Sequence, residues 1–290
     1  MEKVVIPFGA YQLRTEASSI EALAALHAAL SPYSAAEIKI DCTKLGWFDA
    51  HLAAPFMTVM NHSRTQSNSI SLTGLADNVS LILRKNGMLA RKAEDSYHTT
   101  IPVTSFGLDE EIEFADYSRK HLARREMPRM SQALVGKFFE GLDELFANCA
   151  LHSKSEINVV AAGQFFPRAE RLAFAISDGG RGVDGSLRAS GITYSSPEDA
   201  IDWAMQNNNT TRQGYVPGGL GLKLLREFIA KNNGKLMVAS SAGLWTQTGT
   251  RLTKARMPKP FPGTVVIMEI LTSDRNVYDL KASTDHRNIW

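Results

Sequence analysis

Cysteine is scarce: Cys42 and Cys149 are the only two in 290 residues. Two thiols cannot build the disulfide framework of a small secreted module, and these two stand at no metal-ligand spacing. Long apolar runs are missing as well. Although 44% of the chain is hydrophobic, no stretch approaches the about 18 consecutive apolar residues that a membrane-spanning helix needs. The opening residues, Met1 to Pro7, lack the apolar core and cleavage pattern of a secretory signal. A cytoplasmic protein with no membrane partner is therefore expected. An excess of charge is absent too, since a formal net charge of +2 gives no general attraction to nucleic acid. No Gly-Lys-Ser or Gly-Lys-Thr occurs, which excludes a Walker phosphate loop.

What is there fits two α/β domains. Residues 1–105 alternate strand and helix: Ile20 to Leu30 is an Ala- and Leu-rich helix, Glu37 to Asp41 a strand, Leu52 to His62 a helix and Ser69 to Thr73 a strand. That alternation predicts an α/β unit. Residues 106–128, acidic through Asp109-Glu110-Glu111 and then basic through Arg124-Arg125, read as a solvated linker helix. Its His121 lacks the acidic neighbour and second helix that a phosphorylatable histidine would need. Residues 129–271 form the second domain, and the polar residues 272–290 a tail that is either disordered or docked.

Three stretches of the second domain carry chemistry. In the first, Leu142, Leu145, Phe146 and Cys149 recur at helical spacing, while Glu144, Asn148 and His152 follow one another four residues apart along one edge. The side-chain oxygen of Asn148 is a hard ligand suited to magnesium, and Glu144 can orient or deprotonate a water aimed at a phosphate. By itself the same row also describes a solvated helix edge. In the second, the apolar run Leu172 to Ile176 stops at Ser177-Asp178-Gly179-Gly180-Arg181-Gly182. A strand there delivers Asp178 to a turn as an acceptor for an exocyclic amine, with Gly180 and Gly182 allowing positive φ and the approach of a planar ligand. A hairpin turn would read alike. In the third, Gly218-Gly219-Leu220-Gly221-Leu222 runs into a periodic apolar helix, so bare amides at a helix start are available to phosphate oxygens. A merely flexible loop before a helix is the other reading.

In this order the three pieces resemble the boxes of the histidine-kinase-like ATPase superfamily, also called GHKL, over roughly residues 125 to 270. The resemblance implies an α/β sandwich, a mixed sheet with helices on one face, that binds ATP and Mg2+. It implies that Asn148 holds magnesium, that Glu144 is the catalytic base, and that Asp178 accepts from the adenine amine. Gly180 and Gly182 would shape the adenine wall, Gly219, Leu220, Gly221 and Leu222 would cap the phosphates, and Thr264, opening the last strand, would lie near Asp178. The 35 residues between Gly182 and Gly218 are expected to be a lid, with Arg212 a candidate phosphate ligand.

Residues 41–49, the helix after them and residues 71–83 resemble a STAS domain. In anti-sigma circuits such domains carry a phosphorylatable serine after the aspartate, but here Asp49 is followed by Ala50 and His51. That hydroxyl is missing, so docking or sensing is the implied role. Asp49 reads as a helix cap, and His51 as a surface or packed histidine rather than a metal ligand. Glu144 in the place of a base implies a slow ATPase switch that controls a separate protein partner, whereas the pairing of the two domains resembles that of an anti-sigma-type kinase. An anti-sigma-type serine/threonine kinase and a non-enzymatic nucleotide-binding module are the alternatives, and the oligomeric state is open, a homodimer included.

Overall fold

The structure is a computed structural model that describes residues 2–206 and 220–279. The chain opens with β1 (Lys3–Pro7), β2 (Gln12–Leu13), α1 (Ala17–Leu30), β3 (Glu37–Asp41), β4 (Trp47–Phe48), α2 (Ala53–Arg64), β5 (Ser69–Thr73) and α3 (Asp77–Lys85). β1, β3 and β5 form a three-stranded parallel sheet, and β2 pairs with β4. The alternation read from the sequence is thus a parallel α/β unit, as crossover helices between strands require.

The second half runs β6 (Thr100–Phe106), α4 (Glu111–Leu122), β7 (Arg129–Met130), α5 (Gln132–His152), β8 (Val159–Phe166), β9 (Arg171–Asp178), α6 (Gly182–Ala189), α7 (Pro197–Ala204), α8 (Leu220–Lys231), β10 (Lys235–Thr248), β11 (Arg251–Leu271) and β12 (Val277–Tyr278). Its sheet has the order β10-β11-β9-β8-β6. Every pairing in it is antiparallel, so the expectation of a mixed sheet is corrected.

Alternation along these strands decides what covers each face. Leu172, Phe174 and Ile176 of β9, with Leu236, Val238, Met268 and Ile270, join Phe138, Leu142 and Phe146 of α5 and Phe228 of α8 in one buried cluster. The intervening residues Ala175, Val160, Ala162, Met237, Val265 and Ile267 belong to a different cluster, shared with Leu23 and Leu26 of α1 and Phe56 and Val59 of α2. Helices therefore cover both faces rather than one, because the first unit supplies the second cover. α1 and α2 are sandwiched between the small parallel sheet and the large antiparallel one.

Two boundaries move accordingly. Residues 100–106 are an edge strand of the second sheet, hydrogen-bonded to β8, not the end of the first unit. α4 is no solvated linker: its Phe114 is buried and stacks on Phe146 of α5 with centroids 4.7 Å apart, and Phe106 meets both rings edge-on. The acid-then-base pattern of residues 109–125 describes only the outer side of this helix. In the tail, Val277–Tyr278 pairs with Arg129–Met130 and Tyr278 is buried against Phe228, so the described part docks.

Candidate functional site

α5 starts where the Ser131 hydroxyl accepts from the Leu134 N–H, a side-chain N-cap. Its apolar residues Leu134, Phe138, Leu142, Leu145 and Phe146 are buried, which turns Glu144 and Asn148 to a half-buried edge. β9 carries Asp178 to the end of the sheet on the same side as α5. The helix and the turn beyond the strand are tied together: Arg181 N donates to Ser153 O at 2.8 Å, and the Ser186 hydroxyl donates to His152 O at 2.9 Å. The row Glu144, Asn148, His152 thus belongs to the helix that packs beside Asp178.

Asp178 is only 3% exposed. Its Oδ1 accepts from Gly180 N at 2.9 Å, and its carboxylate also meets the Cys149 thiol and the Thr264 backbone N–H. Burial nevertheless outweighs these donors and pushes its pKa up to about 6. Burial first, then the neighbouring Asp178 carboxylate, holds the Cys149 thiol well above its usual range.

Register places Asp178 in a polar rung. Asp178 of β9 is paired with Thr264 of β11, and Thr264 with Ser240 of β10. Cross-strand partners share a face, so three polar side chains lie side by side where the apolar runs of three strands stop. Ser240, 1% exposed, accepts from Val183 N at 2.8 Å, donates to Gly263 O at 3.1 Å and lies 3.0 Å from Thr264 Oγ1.

The glycines are required for different reasons. Gly182 has φ +72°, and a Cβ there would lie 2.7 Å from Ser240 Oγ. Gly180 has no positive φ, which corrects that expectation. A side chain at Gly180 would collide with the Ser153 carbonyl, so its place is dictated by contact with the α5 terminus. Gly263, at φ +87°, leaves no room for a Cβ beside the Asp178 carbonyl.

The structure thus brings Asp178, Thr264, Gly180 and Gly182 together next to the helix bearing Glu144 and Asn148. Leu220, Gly221 and Leu222 open α8, which packs on α5. Gly219 and Arg212 lie outside the described residues. The segment expected as a lid is partly helical, with α6 and α7 inside it. Trp245 Nε1 donates to Asp202 of α7 at 2.9 Å, and Lys254 bridges Asp199 and Asp202. Sequence reasoning missed Ser240, Cys149 and Ser153 as parts of this site. One signal was available for Ser240: Leu236 to Ala239 ends at Ser240 as Leu172 to Ile176 ends at Ser177-Asp178.

At the opposite end of the five-stranded sheet Asp49 is fully buried and does not cap the following helix. It accepts from Trp47 Nε1 at 2.8 Å and pairs with Arg171 at 3.4 Å, and Arg171 also pairs with Glu269. His51, buried and bonded to Thr15 Oγ1 at 2.9 Å, is pushed down to a pKa of about 3 by burial and then by Arg171 and Lys235. It is a packed, neutral histidine. Also away from the polar rung, a cavity of about 330 Å³ lies between Thr15–Ala17 and the β10–β11 hairpin. That hairpin folds back so that Gly249 N donates to Gly234 O at 2.9 Å. The cavity's one lysine, Lys235, already donates to Thr15 O.

Among the described residues no helix is long and apolar enough to cross a membrane, and no cluster of three or more His, Cys, Asp or Glu side chains could hold a metal ion. No protein-family model matches the chain, and no curated protein is significantly similar to it.

Proposed function

We propose that this chain is a Mg·ATP-binding regulatory protein of the histidine-kinase-like ATPase type, a slow ATPase whose nucleotide state controls a protein partner. The observation that carries the reading is the buried carboxylate of Asp178, held at a strand end beside Thr264 and packed against the helix that bears Glu144 and Asn148. A buried acceptor at a glycine turn suits an exocyclic amine. A half-buried amide and carboxylate four residues apart suit the polyphosphate end.

In this reading Asp178 and Thr264 bind the adenine edge, Asn148 contributes an oxygen ligand to magnesium, and Glu144 directs the attacking hydroxyl of water. Magnesium, when bound, supplies the charge neutralisation that phosphoryl transfer needs. An oxygen-rich, thiolate-free donor set fits that hard cation better than zinc. The first unit, STAS-like in the order of its elements, is the sensing or docking part. Ala50 is fully buried where a STAS switch would carry its serine, so phosphorylation of the chain on itself at that place is not part of the reading.

The test follows γ-labelled ATP with the purified protein and magnesium, alone and with cell lysate, beside Glu144→Ala. Free phosphate from the wild type, lost in Glu144→Ala while nucleotide binding persists, supports the switch. Label moving onto a lysate protein instead makes the chain a protein kinase. Unaltered turnover in Glu144→Ala removes Glu144 from its role, and absence of any ATP binding sinks the reading as a whole.

A further inference from the structure

Ser240 belongs to no part of the site as its boxes define it, yet it joins the start of α6 after Gly182 to the Gly263–Thr264 end of β11. A serine hydroxyl has one proton to give and two lone pairs to accept with. The Val183 N–H takes one lone pair at 2.8 Å, and the proton goes to the Gly263 carbonyl at 3.1 Å. Only the second lone pair remains for the third contact, Thr264 Oγ1 at 3.0 Å, so in that pair Thr264 is the donor. Once its proton is committed to Ser240, Thr264 has nothing but lone pairs to turn toward a ligand.

Its rung neighbour Asp178 accepts as well, and that carboxylate is already served by Gly180 N. The base-reading edge is therefore acceptor on acceptor, a pattern that a base with an exocyclic amine satisfies. A base with a carbonyl in that place meets lone pairs on both residues and leaves buried groups unpaired, which is the costly outcome for a polar pocket.

We infer that Ser240 is a positioning residue that sets base specificity, by fixing the direction of the Thr264 hydroxyl and so restricting the site to amine-bearing purines. The inference rests on the ATP reading of the same site and adds the residue that enforces it. Loss of the Ser240 hydroxyl frees Thr264 to rotate and donate, so a carbonyl-bearing base becomes acceptable.

The experiment compares the dissociation constants of ATP and inosine triphosphate, which carries a carbonyl in place of the amine, for wild type, Ser240→Ala, Ser240→Thr and Thr264→Val. The wild type should prefer ATP, and Ser240→Ala should lose about tenfold of that preference, the worth of one hydrogen bond. Ser240→Thr, which keeps a hydroxyl, should retain the preference. If Ser240→Ala fails to fold, Thr264→Val decides, because it leaves the bonds from Ser240 to Val183 and Gly263 in place and should also erode the preference. Equal weakening of both nucleotides in the variants, with the wild-type preference intact, overturns the role of Ser240 and leaves the ATP reading standing. A wild type that binds neither nucleotide removes the reading and the inference together.

Discussion

Asp178 is held at a cost that varies with pH. Its carboxyl titrates near 3.8 when the chain is unfolded and at about 6 when folded. Between those values the folded state keeps a proton that the unfolded state has released, so stability falls as pH rises through the window. Below about pH 4 the penalty is absent, and above 6 it is fully present. A shift of this size corresponds to about 3 kcal/mol. In chemical denaturation at pH 4 and pH 7, the unfolding free energies of wild type and Asp178→Asn should differ by amounts that change by about that much. The variant gains relative to wild type at the higher pH, and a constant difference would show that Asp178 is not strained by burial. Under the ATP reading, nucleotide affinity should run the other way and fall as pH drops through 6, since a protonated carboxyl loses acceptor capacity. Asp178 was legible in the sequence as the point where an apolar run stops at a turn, although an ordinary hairpin reads alike. Ser240 was marked only by the end of a similar apolar run, and its importance comes from the register of β10 on β11, which brings it to Thr264, 24 residues away along the chain.

The elements, by contrast, were legible where periodicity spoke and misread where pairing partners lay far away. α5 follows from its apolar spacing, and α1 from its Ala- and Leu-rich composition. β6 carries the ordinary signature of a strand, but nothing within residues 100–106 says that it pairs with β8, and the shift to an acidic run at residues 109–111 is a poor guide to a domain edge. Asp49 was misjudged for the same reason: a cap is a local device, whereas its real partner Arg171 is distant in sequence. That pair joins the start of β9 to the turn before α2. Burial, opposed by Trp47 and then Arg171, still leaves the Asp49 pKa raised. Removing the guanidinium leaves a fully buried carboxylate without its counter-charge, a change that typically costs about 3–5 kcal/mol. Arg171→Met should lower the unfolding free energy by that amount at neutral pH, and the denaturation midpoint with it. The loss should shrink on acidification, as Asp49 takes up a proton and no longer needs a partner. A midpoint within error of wild type at neutral pH would mean that this buried pair does not hold the two halves together.

The chain as a whole is built around α1 and α2, which bury residues on both of their sides. Leu23, Leu26, Phe56 and Val59 lie in one continuous cluster with Ile38 and Ile40 of the small sheet and with Ala175, Val265 and Ile267 of the large one. Without those helices the small sheet loses its core and the large one is uncovered on one face, and apolar area of this kind is the dominant favourable contribution to folding. The two halves should therefore unfold as one cooperative unit rather than as a STAS-like module tethered to an ATPase module. Trp47 lies in the first half and Trp245, fully buried, in the second, so variants that retain one or the other tryptophan report on each half separately. Their thermal midpoints should coincide. Under the ATP reading, nucleotide at a hundredfold excess over its dissociation constant should raise both together, by about 2.7 kcal/mol of added stability. Two separated midpoints, or a ligand shift seen by Trp245 alone, would make the first half an independent module. A common shift would mean that whatever binds the first half and whatever binds near Asp178 act on one shared core, the physical condition for each to alter the affinity of the other.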